Sequence, residues 1–188
     1  MAKVLFTIIP LAVATLAAPM MLKYLSKRKA RMLLCIVMIV YIIGNLYFTF
    51  LSRTFDTKRY IELKPFLVYS RLFVTQKDPP PTENGILAML HDATLPVWGV
   101  LLNILLYYPF GYLLPILFPN LKPKHVILIG CLGSIATEAT QYLLKMGWCE
   151  TDDVIHNTLG TAIGVWVWHL QSKRLNAQRG SNPEKGET

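Results

Sequence analysis

Long apolar runs constrain this 188-residue sequence more than any other feature. The hydrocarbon core of a bilayer is about 30 Å thick, and a helix needs roughly 20 predominantly apolar residues to cross it. Five segments of this kind occur in the chain, at residues 1–22, 32–51, 95–118, 125–144 and 154–170. The sequence therefore predicts an all-α integral membrane protein, a bundle of five transmembrane helices.

The positions of the basic residues predict how these helices are oriented. In a signal peptide the basic residues come before the apolar run. Here the basic cluster comes after the first run, so residues 1–22 are predicted to be a helix that is retained. Lysine and arginine gather in segment 23–31, at Lys122 and Lys124, and in the tail from Lys173. With five spans these three places share one side, which should be cytoplasmic. We therefore predict a multi-pass protein of the cell membrane with its N-terminus outside and its C-terminus in the cytoplasm.

The same reasoning divides the chain. We expect a first transmembrane helix at residues 1–22, a four-helix membrane domain at 32–170 and a disordered cytoplasmic tail at 171–188. Within the domain, the outer segment 52–94 mixes apolar and basic residues. It is expected to form short interfacial helices, one amphipathic helix over residues 63–73 and a second over 85–91.

Composition and residue spacing exclude several functions. The formal net charge is +8, but the basic residues lie between apolar runs or in the tail, which favours lipid headgroups over nucleic acid. Cys35, Cys131 and Cys149 form no CxxC pair, and the four histidines show no zinc spacing. The single acidic pair, Asp152 and Asp153, provides too few ligands for magnesium. We predict no metal, no cofactor and no nucleic-acid partner.

The acid in the fourth run is the most informative residue. A carboxylate inside a membrane span costs about 2.5–3.5 kcal/mol on insertion scales. Glu138 shares a helical face with Gly130, Ser134, Thr137 and Gln141. This face is therefore predicted to point into the bundle.

The fifth run has a comparable stripe. Asp153, Asn157, Gly160 and Gly164 follow helical spacing, and the two glycines form a GxxxG motif that lets another helix approach closely. Asn103 in the third run adds a polar group at a similar depth, within roughly 10 Å of the outer surface at about 1.5 Å per residue. Together these residues predict an outward-facing binding site with Arg53 as counter-ion, lined by Arg53, Asn103, Glu138, Gln141, Asp153 and Asn157.

Each of these residues also has a structural interpretation. Asn103 is often the kind of residue that joins helices by a hydrogen bond, and Asp153 is suited to cap the start of the fifth helix. His156 is turned about 100° from Asn157 on a helix and is expected at the membrane interface. The whole cluster can also be a packing network without a ligand.

Several spaced motifs resemble the VanZ family of membrane proteins. They are Ser52-Arg53, Lys64-Pro65-Phe66, the NILLYYPFG segment from Asn103, the Glu138-Ala-Thr-Gln141 motif and the TDDVIHNTLG segment from Thr151. The sequence departs from the family pattern at several positions. Among them, Glu150 stands where the pattern has its first aspartate, and His156 stands at a position that is usually apolar. The resemblance covers residues 51–170.

The resemblance implies a role in the cell envelope, because the founding member is associated with low-level resistance to the lipoglycopeptide teicoplanin. It implies membrane lipids as partners, together with a lipoglycopeptide antibiotic or a lipid-linked wall precursor. The favoured hypothesis is a binding or membrane-interaction mechanism that lowers teicoplanin susceptibility. The alternative is a membrane-embedded enzyme acting on an envelope lipid or wall precursor, with Glu138 and Asp153 as acid–base groups.

Overall fold

The computed structural model describes residues 17–51, 57–67, 69 and 83–180, and these residues are predominantly helical. Two short strands pair beside the helices. In chain order the elements are α1 (Ala18–Tyr24), α2 (Lys27–Leu46) with a π-helical extension (Tyr47–Leu51), β1 (Tyr60–Glu62), α3 (Glu83–Leu117), α4 (Pro123–Leu144), β2 (Trp148–Glu150) and α5 (Thr151–Gly180).

Three helices in the described part of the chain are long and apolar enough to cross a membrane. They are Lys27–Leu46, Val97–Leu117 and Pro123–Leu144. The expected number of five is not supported. Helix α5 falls short because its apolar residues are interrupted by polar ones such as His156 and Asn157, and residues 1–16 of the first predicted span lie outside the described part.

The ends of the helices differ from the predicted ones in two places. The predicted short helix over residues 85–91 is not separate, because α3 is one continuous helix from Glu83 to Leu117. Helix α5 continues to Gly180, so its end enters the predicted tail, of which residues 181–188 lie outside the described part. The division of the chain into domains stays a prediction.

Ahead of the predicted amphipathic helix over residues 63–73, the outer segment contributes one strand to a two-stranded parallel sheet. Residues 68 and 70–73 of that helix lie outside the described part, so the helix stays a prediction. Strand β1 pairs with β2, with Ile61 opposite Cys149, and the rings of Tyr60 and Trp148 stack with centroids 4.9 Å apart. After β1 the chain makes a turn in which Phe66 has a φ of 63°, which is unusual for a residue with a side chain. Over residues 57–67 the outer segment is therefore a strand followed by a turn, held against the connection between α4 and α5, and from Glu83 onward the segment belongs to α3.

Glycines bring α3 and α5 into backbone contact. A Cβ added at Gly160 would lie 2.2 Å from the carbonyl oxygen of Ile104, and one at Gly164 would lie 2.2 Å from that of Tyr108. From the other side, a Cβ at Gly111 would lie 2.0 Å from the carbonyl oxygen of Thr161. The close helix approach predicted from GxxxG is confirmed, and its partner is α3.

The buried face of α2 packs on the same pair of helices. Leu34 and Met38 of α2 belong to the apolar core that Tyr112 and Leu113 of α3 and Val165 of α5 complete. The hydroxyl of Tyr41 donates to the backbone carbonyl of Leu106, which fixes α2 to α3.

Substitution of Gly160 by alanine tests the backbone contact. The added methyl group has no space in front of Ile104, so Gly160→Ala should lower the free energy of unfolding by about 1–3 kcal/mol. Gly133→Ala is the matched control, because a Cβ at Gly133 meets nothing within 4 Å. Thermal unfolding in detergent should show a loss only for Gly160→Ala, and equal melting temperatures would contradict the packing.

Candidate functional site

The stripe on α4 is buried, as its spacing predicts. Ser134, Glu138 and Gln141 are each less than 5% exposed. The carboxylate Oε2 of Glu138 accepts a hydrogen bond of 3.0 Å from the backbone N–H of Glu150, at the junction of β2 and α5. The buried acid is therefore oriented by the loop backbone, which satisfies part of the hydrogen-bonding capacity that burial would otherwise leave unmet.

A second acid–amide contact joins α3 to α5. The Nδ2 of Asn103 donates to Oδ1 of Asp153 at 2.6 Å. Asp153 lies in the first turn of α5, where the positive end of the helix dipole also stabilises its negative charge. Asn103 thus joins two helices by a hydrogen bond, as its structural interpretation predicts, while its role in ligand binding stays a prediction.

The amide of Asn157 is only half satisfied. Its Nδ2 donates to the hydroxyl of Ser134 at 2.9 Å, which links α5 to α4. Its Oδ1 has no hydrogen-bond partner among the described residues, although the side chain is 95% buried. A buried acceptor without a partner costs about 1–3 kcal/mol, so this oxygen is the point at which a donor from a bound molecule would be most stabilised.

Tyr107 connects these contacts. It is buried beside Thr137 and Ser134 of α4, and the carboxylates of Glu138 and Asp153 are close enough to interact with it electrostatically. The tyrosine comes from α3, one helical turn below Asn103. Three helices therefore contribute to one polar cluster, which we define as Asn103, Tyr107, Ser134, Glu138, Gln141, Asp153 and Asn157.

The outer segment covers one side of α5 with a further set of contacts. The backbone N–H of Phe66 donates to the carboxylate of Asp152, and the hydroxyl of Tyr69 lies 2.9 Å from Nε2 of His156. His156 is 2% exposed and packs under this segment, so protein covers it, and its predicted place at the membrane interface stays a prediction. Asp152 and His156 are four residues apart on α5, and that spacing was the signal that they share a face.

Two predicted positions complete the account. Gln141 is buried on α4, and its backbone carbonyl accepts from the N–H of Met146, which closes the end of the helix. Arg53 lies outside the described residues, so its role as counter-ion stays a prediction.

The chemistry of the cluster favours binding through hydrogen bonds. Among the described residues, no group of three or more histidine, cysteine, aspartate or glutamate side chains is placed to hold a metal ion. Burial, together with the carboxylates of Glu138 and Glu150, raises the pKa of the Cys149 thiol. The thiol therefore stays protonated at neutral pH and is a poor nucleophile.

Comparisons with known proteins agree with the motifs. A family model described as VanZ/LLP1 matches residues 32–172. The chain is also 29% identical to the protein named "Protein VanZ" from Enterococcus faecium over 79 residues, which are 41% of this chain and 48% of that protein. The alignment thus spans about half the length of that relative. No solved structure matches the chain significantly.

A double-mutant cycle measures the bond between α3 and α5. Asn103→Ala and Asp153→Ala should be coupled by about 1–2 kcal/mol, because each change removes the same charge-assisted hydrogen bond. The control pair is Thr140→Ala with Asp153→Ala, since Thr140 bonds to the carbonyl of Ala136 in its own helix. Unfolding titrations should give additive effects for the control, and additivity for the Asn103 pair would contradict the contact.

Proposed function

Because the chain belongs to the VanZ/LLP1 family, we propose that it is a cell-envelope membrane protein that lowers susceptibility to the lipoglycopeptide teicoplanin. The polar cluster acts in this proposal as an outward-facing binding site, and the protection arises from binding or membrane interaction. The observation that carries it is the buried Oδ1 of Asn157, which lies among side chains from three helices and has no hydrogen-bond partner in the part of the chain that the structure describes. A ligand with N–H or O–H groups, such as a glycopeptide, offers donors for that oxygen.

The proposal includes a membrane topology. Helix α5 crosses the membrane together with α2, α3 and α4, because its polar residues Asn157 and Thr161 are buried against neighbouring helices and are not in contact with lipid. Most of the first predicted span, residues 1–16 of 1–22, lies outside the described part of the chain, so that span stays a prediction. The basic segment 23–31 and the end of α5 then lie in the cytoplasm, and β1, β2 and the polar cluster lie toward the outside.

The acid–base alternative has less support from the described contacts. Glu138 accepts from a fixed backbone N–H and Asp153 accepts from Asn103, so both carboxylates are held as oriented acceptors. One oxygen of each carboxylate is thus already engaged by a donor of the protein itself, which fixes the orientation of the group. We therefore assign these acids to orientation and binding.

Cysteine accessibility tests the topology. In a chain whose three native cysteines are replaced by alanine, Lys64→Cys and Lys173→Cys introduce one exposed thiol each. A membrane-impermeant maleimide added to intact cells should label the cysteine at position 64, while that at position 173 should react only after the membrane is opened. Labelling of both or of neither in intact cells would contradict the orientation.

Drug susceptibility tests the function. Expression in a susceptible Gram-positive host should raise the inhibitory concentration of teicoplanin more than that of vancomycin. Asn157→Ala should reduce the protection by about twofold to tenfold, as expected for the loss of one or two hydrogen bonds. Thr158→Ala is the control, because this neighbouring side chain bonds only within its own helix, to the carbonyl of Val154.

The remaining outcomes of this experiment are equally decisive. Unchanged teicoplanin susceptibility, with the protein present in the membrane, would refute the proposal. Glu138→Gln and Asp153→Asn keep the size and most acceptors of the acids, so protection should persist in part. Complete loss in both variants, with normal folding and abundance, would instead favour the enzymatic alternative.

A further inference from the structure

A groove of about 180 Å³ lies between α2, α3 and α4, beside the polar cluster. Polar residues that line it include Tyr41, Asn45 and Thr49 from the α2 side and Tyr107 and Thr137 from α3 and α4. Most of the remaining lining is apolar. The groove is therefore amphipathic, and most of the residues that line it lie outside the polar cluster.

The rim of the groove is apolar and exposed. Ile42, Leu46 and Ile129 line it and are each 40–48% exposed, on helices that are long and apolar enough to span a membrane. Backbone polar groups in these helices are satisfied internally, so nothing along the rim requires water. The apolar part of such a groove favours a hydrocarbon chain, because leaving it empty forfeits dispersion contacts and its apolar walls offer water no hydrogen bonds.

The inner end of the groove is continuous with the polar cluster. Tyr107 and Thr137 line the groove, and Tyr107 also lies beside Ser134, which accepts from Asn157. On the α2 side, Tyr41, Asn45 and Thr49 are spaced four residues apart, and the hydroxyl of Thr49 donates to the Asn45 amide oxygen at 3.1 Å. A molecule lying in the groove would thus have hydrocarbon on its membrane side and hydrogen-bonding groups at its inner end.

We propose that this groove is a lateral entrance that holds the hydrocarbon chain of a lipid-anchored amphiphile, whose polar part lies on the cluster around Asn157. The inference rests on the proposed function in that it names the class of ligand for the same site. It explains why the site adjoins a cleft between membrane helices: a ligand anchored in the outer leaflet reaches the site without leaving the membrane.

Gly133 provides a variant that fills the groove without disturbing the fold. It lines the groove on α4, and a Cβ at this position meets nothing within 4 Å. Gly133→Leu therefore places a side chain in the cleft. Gly99→Leu is the matched control, because Gly99 is a helical glycine of α3 with equally open surroundings that does not line the groove.

The test uses a photoreactive lipid. The full chain is reconstituted in phosphatidylcholine–phosphatidylglycerol vesicles that contain a phospholipid with a diazirine in its acyl chain, and labelled residues are identified by mass spectrometry after irradiation. Labelling should be enriched at Ile129 and Thr137 relative to the lipid-exposed Leu128 and Leu132 of the same helix. Gly133→Leu should reduce the groove labelling roughly tenfold, the change expected from displacing about two methylenes, and Gly99→Leu should leave it unchanged.

Each other outcome overturns the assignment. Equal labelling of groove and reference residues would mean that the groove selects no chain, and insensitivity to Gly133→Leu would place the label elsewhere. Labelling of Leu128 and Leu132 without labelling of the groove residues would mean that the groove admits no lipid chain. Asn157→Ala should lower the groove labelling several-fold, and an unchanged value would separate the groove from the polar cluster.

Failure of the groove and failure of the drug hypothesis give different results. Selective labelling that is sensitive to both Gly133→Leu and Asn157→Ala, in a protein that gives no teicoplanin protection, upholds the lipid-anchored ligand and refutes the drug. Protection that survives Gly133→Leu together with unselective labelling refutes the groove and upholds the proposed function.

Discussion

The direct backbone contact between α3 and α5 is the constraint on which the rest of the structure depends. Gly160 and Gly164 let α5 approach the carbonyls of Ile104 and Tyr108 to distances that exclude any side chain between them. Only at this separation can the short side chain of Asn103 reach Asp153, near the start of α5. The glycines therefore determine the geometry of the acid–amide contacts as well as the packing of the bundle.

A second constraint is that the acids on α4 and at the start of α5 must be stabilised. Glu138 accepts from the backbone N–H of Glu150, and Asp152 accepts from that of Phe66. Both donors belong to segments that lie outside the three apolar helices. The pairing of β1 with β2 holds these segments in place. The outer segment is thus part of the site, because its backbone provides hydrogen bonds that lipid could not.

Helical periodicity predicted the parts of this arrangement that lie on one helix. The buried face around Glu138 and the glycine contact at Gly160 follow from the spacing of residues on α4 and α5. The β1–β2 pair was not predictable in the same way, because three-residue strands carry little pattern and their paired residues lie 88 positions apart in the sequence. The same separation applies to Lys145 and Thr57, which are joined by a hydrogen bond nearby. The burial of His156 was missed for the same reason, because it depends on Tyr69 from the distant outer segment.

Helix α5 shows why apolar length alone is an incomplete guide in this protein. A helix surrounded by other helices needs an apolar surface only where it meets lipid, so its inner face can carry polar groups that lower its mean hydropathy. Asn157 and Thr161 lie on such a face and are almost fully buried, with Asn157 bonded to Ser134 of α4. The residues that exclude α5 from the apolar helices are thus among those that build the polar cluster. Replacing them with leucine would make α5 a more conventional span and would remove the only hydrogen bond described between Asn157 and α4.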